Sequence, residues 1–150
     1  MDDMAERYAD RGVTSVFIYT REAHPGENLP HHTSKEVKRA HARAFQSECG
    51  VRRRILLDDL EGTAHRAFGL LPNMSWILAR GGLILYKAAW TDPQDLDSGL
   101  VDSLDALAKR RTMALRPAYT ERLLWRIGDE VSFRTGLERA GPQAIRDFYG

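Results

Sequence analysis

The sequence predicts an α/β fold, and three observations carry that reading. Short apolar runs rich in β-branched and aromatic residues alternate with helical patterns through the first half of the chain. A Gly-Gly pair then joins two further runs into a β-hairpin. A long stretch with leucines at helical spacing follows the hairpin. Alternating β and α units imply a parallel sheet covered on both faces, which makes three layers (α/β/α). The hairpin adds antiparallel strands, so the sheet is expected to be mixed.

Each element has its own signal. "DDMAERYADRG" places Met4, Tyr8 and Ala9 at helical spacing, and Gly12 suits a stop. "VTSVFIYT" reads as a strand. "TSKEVKRAHARAFQSE" opens with Thr33 or Ser34 as N-cap and carries Val37, Ala40, Ala44 and Phe45 as its apolar stripe. "RRILLDD" is a second strand, and "GTAHRAFG" is a short helix between two glycines. Pro72 leads into a third strand over 75–79. Gly81 and Gly82 can take positive φ in the turn, and "LILYKAAW" is the fourth strand. "TDPQDLDSGLVDSLDALAKRR" starts acidic and ends basic, as the helix dipole favours, with Leu96, Leu100, Leu104 and Leu107 as its stripe. Residues 1–111 form the expected domain. Residues 112–150 form a helical extension, in which Leu123, Ile127 and Val131 recur every four positions.

Composition narrows the function classes. The chain has 150 residues, 43% hydrophobic and 29% charged, as in a soluble globular protein. No apolar run reaches the length of a membrane span. Asp2, Asp3 and Glu6 follow Met1 where a secretory signal would be basic and then apolar, so a cytoplasmic location is expected. Cys49 is the one cysteine, which excludes an intrachain disulfide and a Cys-only zinc site. Net charge is +1, but residues 1–108 hold 13 basic against 16 acidic side chains and residues 109–150 hold 9 against 5. The basic stretch "AKRRTMALRP" has no interleaved aromatics, so nucleic acid is not an expected partner. Membrane contact is not expected either.

One loop stands out: "REAHPGENLPHH", where a buried strand surfaces beside an acid, three imidazoles and two prolines. "VFIYTREAHPGE" resembles the strand and EAHP loop of iodothyronine deiodinases and their bacterial relatives in the redoxin branch of the thioredoxin superfamily. "ILLDDLEGTAHRAFGLLPNMSWILARGGLILYKAAWTDP" is similar to the stretch that follows it there. The resemblance covers roughly residues 1–108 and implies a thioredoxin-like fold. It also implies thiol- or selenol-dependent oxidoreduction, with a thiol electron donor or protein partner and no bound cofactor.

The resemblance assigns roles residue by residue. His24 supplies or removes a proton beside the nucleophile, and Glu22 orients that imidazole or contacts substrate. Pro25 stiffens the loop. Pro72, with Asn73 beside it, lies against the substrate, and the bond before Pro72 is expected to be cis. The family's catalytic cysteine or selenocysteine has no counterpart among these residues; it belongs to a strand and loop expected before Met1. The chain as it stands is therefore expected to lack the nucleophile. The alternative is a non-catalytic thioredoxin-like binding or assembly module completed by a partner chain or by a homo-oligomer. Cys49 reads as an incidental thiol at a helix end. His31, His32 and His41 lack metal-ligand spacing, and Asp58 and Asp59 read as strand-end residues near a helix start, so no metal site is expected.

Overall fold

The structure is a computed structural model that describes residues 1–110, the backbone of 120–122, and 128–150. Six helices and five strands occur among the described residues: α1 (Asp2–Ala9), β1 (Val16–Tyr19), α2 (Lys35–Glu48), β2 (Arg54–Leu57), α3 (Thr63–Ala67), β3 (Ser75–Leu78), β4 (Ile84–Ala88), α4 (Pro93–Lys109), β5 (Thr120–Arg122), α5 (Glu130–Ala140) and α6 (Pro142–Tyr149). They divide into two compact units, Met1–Pro72 with Ile127–Gly150, and Asn73–Arg126. The α/β class holds. The expected domain boundary after residue 111 lies outside the described residues, as does most of the helix expected around Leu123 and Ile127.

In the first unit, β1 and β2 are parallel neighbours, with Phe17 opposite Ile55 and Tyr19 opposite Leu57. Parallel neighbours need a crossover, and α2 supplies it. Ser34 caps α2, accepting from Val37 N at 3.2 Å. Phe45 of α2 packs its ring 5.1 Å from that of Phe17. The buried stripe of α2 differs from the one the sequence suggests. Lys38 and Ala42 are buried, whereas Ala40 is exposed. Lys38, His41, Ala42 and Phe45 recur at i, i+3, i+4 and i+7, so the stripe is helical but partly polar.

α1 buries Met4 and Tyr8. Its outer face is tied to the start of β2 by charge. Arg53 Nε donates to Asp2 at 2.6 Å, and Arg52 donates to Asp3 and Glu6 at 2.6 and 2.8 Å. Burial works to raise the Asp2 carboxyl, yet the hydrogen bonds and charge of Arg53 outweigh it and hold the group below its ordinary value. At the other end of this unit, α5 and α6 bury Leu137, Ala140 and Ala144 together, with Leu29 and Ile145 packed against them.

In the second unit, β3 and β4 form the expected hairpin. Gly81 and Gly82 both take positive φ in its turn, at +88° and +83°. β4 also pairs in parallel with β5, with Tyr86 opposite Thr120. The strands thus form two sheets, β1–β2 and β3–β4–β5, and not the single mixed sheet read from the sequence. β4 gives its second edge to Thr120–Arg122, which lies in the stretch read from the sequence as a helical extension. α4 begins at Asp92, whose carboxylate accepts from Gln94 N and Asp95 N. It buries Leu96, Gly99, Leu100 and Ser103. Tyr86 is 1% exposed and lies directly over Gly99, where an added Cβ would stand 2.7 Å from the ring.

Two predictions follow from these contacts. Gly99→Ala must displace the buried Tyr86 ring or α4, which costs about 1–3 kcal/mol; urea unfolding should show the loss, and an unchanged midpoint contradicts the packing. Asp2→Asn should cost about 0.5–1 kcal/mol at neutral pH. Because the folded Asp2 carboxyl lies below its ordinary 3.8, its stabilisation is present above that value and fades as pH falls through the folded pKa. Urea midpoints of wild type and variant should therefore converge in acid and separate again at pH 7.

Candidate functional site

Ligands of open α/β sheets bind beyond the carboxyl ends of parallel strands. A cleft of about 280 Å³ lies there, beyond β1 and β2. Thr20, Arg21 and Glu22 leave β1 along one wall. Leu60, Glu61 and Gly62 leave β2 along the other. His31 and His32 return from the loop, Lys38 enters from α2, and His65, Arg66 and Leu70 close the site from α3 and its exit.

Glu22 is the centre of this arrangement. Its Oε1 accepts the hydroxyl of Tyr19, the last residue of β1. His32 Nε2 and His41 Nδ1 each lie 3.4 Å from the same oxygen. The three side chains are 17%, 5% and 13% exposed in the order Glu22, His32, His41. Neither of these two imidazole nitrogens has a hydrogen-bond partner of good geometry. The rings of His32 and His41 meet edge to face at 5.2 Å, and the Tyr19 ring stands 5.6 Å from His32.

The electrostatics follow from burial. Burial first, then the hydrogen bond and charge of Glu22, push the Tyr19 phenol well above its usual range. Burial also pulls His32 below the usual imidazole value; Lys38 and His41 act with burial, and Glu22 opposes it. Lys38 is lowered by burial against the attraction of Asp58, Asp59 and Glu61. Its ammonium donates to the Asp59 carbonyl at 2.9 Å, which spans α2 to the loop after β2. This cluster can share a proton between one carboxylate and two imidazoles, or present three ligand atoms to a cation.

The floor beneath β2 is held by carboxylates. Asp58 accepts from Asp59 N, Ala64 N and His65 N at 3.0, 2.8 and 2.9 Å, satisfying free amides of α3. Asp59 accepts from Thr63 N at 2.7 Å. His65 Nε2 lies 3.2 Å from the Leu71 carbonyl, which can only accept, so the ring proton belongs on that nitrogen. Leu70, on the cleft wall, takes φ +64°, a left-handed conformation uncommon for a leucine.

The sequence-derived site residues separate. Glu22 lines the cleft. His24 does not line it; its ring packs edge-on against Phe133 and Phe148, 5.4 and 5.3 Å away. Pro25 is half-buried in the same loop and also outside the lining. The bond before Pro72 is trans, which corrects the cis expectation, and Pro72 is exposed and not among the lining residues. An X-Pro bond is trans unless its surroundings repay about 0.5–1 kcal/mol, and an exposed turn does not. Asn73 opens the second unit, where its carbonyl accepts the Thr91 hydroxyl at 3.1 Å. Cys49 is exposed at the end of α2.

Sequence reading missed the partners of Glu22. Tyr19 was legible as a strand end, but not as a donor to the acid three residues on. His32 and His41 stand in the sequence as histidines without metal-ligand spacing, and their convergence on Glu22 is set by the fold.

No family model, no curated protein and no solved structure matches the chain. Among the described residues, no helix is long and apolar enough to cross a membrane.

Removing the Asp58 carboxylate leaves the Asp59, Ala64 and His65 amides without their acceptor. Asp58→Ala should therefore lower stability by about 2 kcal/mol, with Asp58→Asn intermediate. Hydrogen exchange should show faster amides at Ala64 and His65 first; unchanged protection there contradicts the assigned cap.

Proposed function

We propose that residues 1–111 form a thioredoxin-like, redoxin-type scaffold used as a small-ligand binding module, and that this chain alone does not carry out thiol-dependent oxidoreduction. The observation that carries the reading is the place of Glu22. The acid of the EAHP loop stands in the cleft beyond the carboxyl ends of β1 and β2. The β1–α2–β2 unit and that loop support the three-layer, deiodinase-like reading; Pro72 lends it nothing. Cys49, the chain's one thiol, is exposed at the end of α2 and is not among the lining residues. That favours the binding module over the oxidoreductase. Arg21, Lys38 and Arg66 outnumber Glu22 and Glu61 in the lining, a balance that favours an acidic ligand.

Two measurements test this. Peroxide reduction driven by dithiothreitol should be no faster with the chain than with Cys49→Ser; a rate that this substitution abolishes would return the chain to the oxidoreductases. Glutathione, a small anionic probe, should shift the amide resonances of Thr20–Glu22 and Leu60–Gly62. Shifts confined to residues outside these segments, or none, would remove the cleft as an acidic-ligand site.

A further inference from the structure

Three potential ligand atoms converge in the first unit. Glu22 Oε1, His32 Nε2 and His41 Nδ1 lie within 4.8 Å of one another. Both nitrogens are buried and lack a hydrogen-bond partner of good geometry, and the His32 side chain is 5% exposed. A buried imidazole nitrogen left without a partner is costly, and beside a carboxylate oxygen it needs either its own proton or a cation that both atoms share. We propose that Glu22, His32 and His41 bind a divalent first-row metal ion of the zinc class.

The spacing suits that ion. Bonds of about 2.1 Å at tetrahedral angles put neighbouring ligand atoms about 3.4 Å apart. The two distances from Glu22 Oε1 are 3.4 Å each. Two imidazoles with one carboxylate form a borderline donor set, which suits zinc or iron(II) far better than calcium or magnesium. Tyr19 donates to the same carboxylate and so fixes the direction of a ligand, as outer partners do in metal sites. Glu22 and His32 also line the cleft, whereas His41 does not. The three ligands come from three segments: the loop after β1, the returning loop, and the middle of α2. A metal would therefore also hold these segments together.

This proposal rests on the reading that the cleft is the functional site, and metal binding alone can be measured apart from it. Zinc added to the chelator-stripped full chain should bind one ion per chain in calorimetry and raise the melting temperature. Cobalt(II) should give the intense visible bands of a four-coordinate site. Glu22→Ala, His32→Ala and His41→Ala should each weaken zinc binding by about 100-fold or more, and Tyr19→Phe by about tenfold. His24→Ala, outside the cleft, should bind as wild type. Circular dichroism reports whether each variant folds. Should one fail to fold, the imidazole nitrogen resonances of the wild-type chain decide the matter, because zinc must move those of His32 and His41. A flat zinc titration with an unchanged melting point overturns the proposal, as does zinc that moves only His24, His31 or His65. Glutathione shifts without zinc binding would leave the ligand-binding module standing and remove the metal.

Discussion

A carboxylate taken out of water must be repaid in hydrogen bonds or charge, and Glu22 gathers that compensation from three directions. Tyr19 belongs to the strand it follows, His32 to the loop that returns, and His41 to the helix that crosses over. Each of these groups is itself polar and mostly buried, so none is comfortable without the others. The cluster therefore fixes the end of β1, the mouth of the loop and one face of α2 relative to each other. Lys38 extends the same logic one turn earlier, because its ammonium reaches across to the Asp59 carbonyl. The cleft exists where these polar demands are met at a strand end and not inside an apolar core.

The loop that leaves Glu22 is pinned from its far side. Glu27 accepts from Gln143 N at 2.8 Å, at the start of α6, and also pairs with Arg146. Asn28 N donates to the Ala140 carbonyl at 2.8 Å. At Gly26 a Cβ would stand 2.3 Å from that same carbonyl oxygen, so only glycine lets the two backbones approach so closely. Hydrogen bonding at Gln143 N, joined by Arg146, holds the Glu27 carboxyl below its ordinary value. The EAHP loop thus has an anchored outer half and a buried inner acid. His24 sits on the anchored side, among Phe133 and Phe148, which explains why it is not beside Glu22 in the cleft.

What the sequence revealed was local. Ser34 and Asp92 announce helix starts because a short oxygen-bearing side chain is what free amides need there. Gly81 and Gly82 announce the hairpin because two positive φ angles need them. Phe17, Ile18 and Tyr19 announce a strand through their shape. What it concealed was set by distant neighbours. Thr120–Arg122 belongs to the stretch that reads as a helical extension, yet it pairs as a strand along the edge that β4 offers. Lys38 and His41 read as the wet face of α2, yet acceptors and imidazoles brought from other segments make that face habitable. The same holds for His32, one of two adjacent histidines, of which the structure buries one side chain and leaves the other exposed. Pro72 shows the converse, since the sequence suggests a rare isomer where the surroundings supply nothing to support it.

The link between Glu27 and Gln143 spans 116 positions of sequence, with the second unit lying between them. During synthesis, β1, α2 and β2 can pair long before α6 leaves the ribosome, while the 24–29 loop has nothing to close against. The outer rim of the cleft is thus among the last parts of this unit to become ordered. A nascent chain halted before residue 142 would carry Glu22 and His32 on a half-tethered loop, with His41 already held by α2.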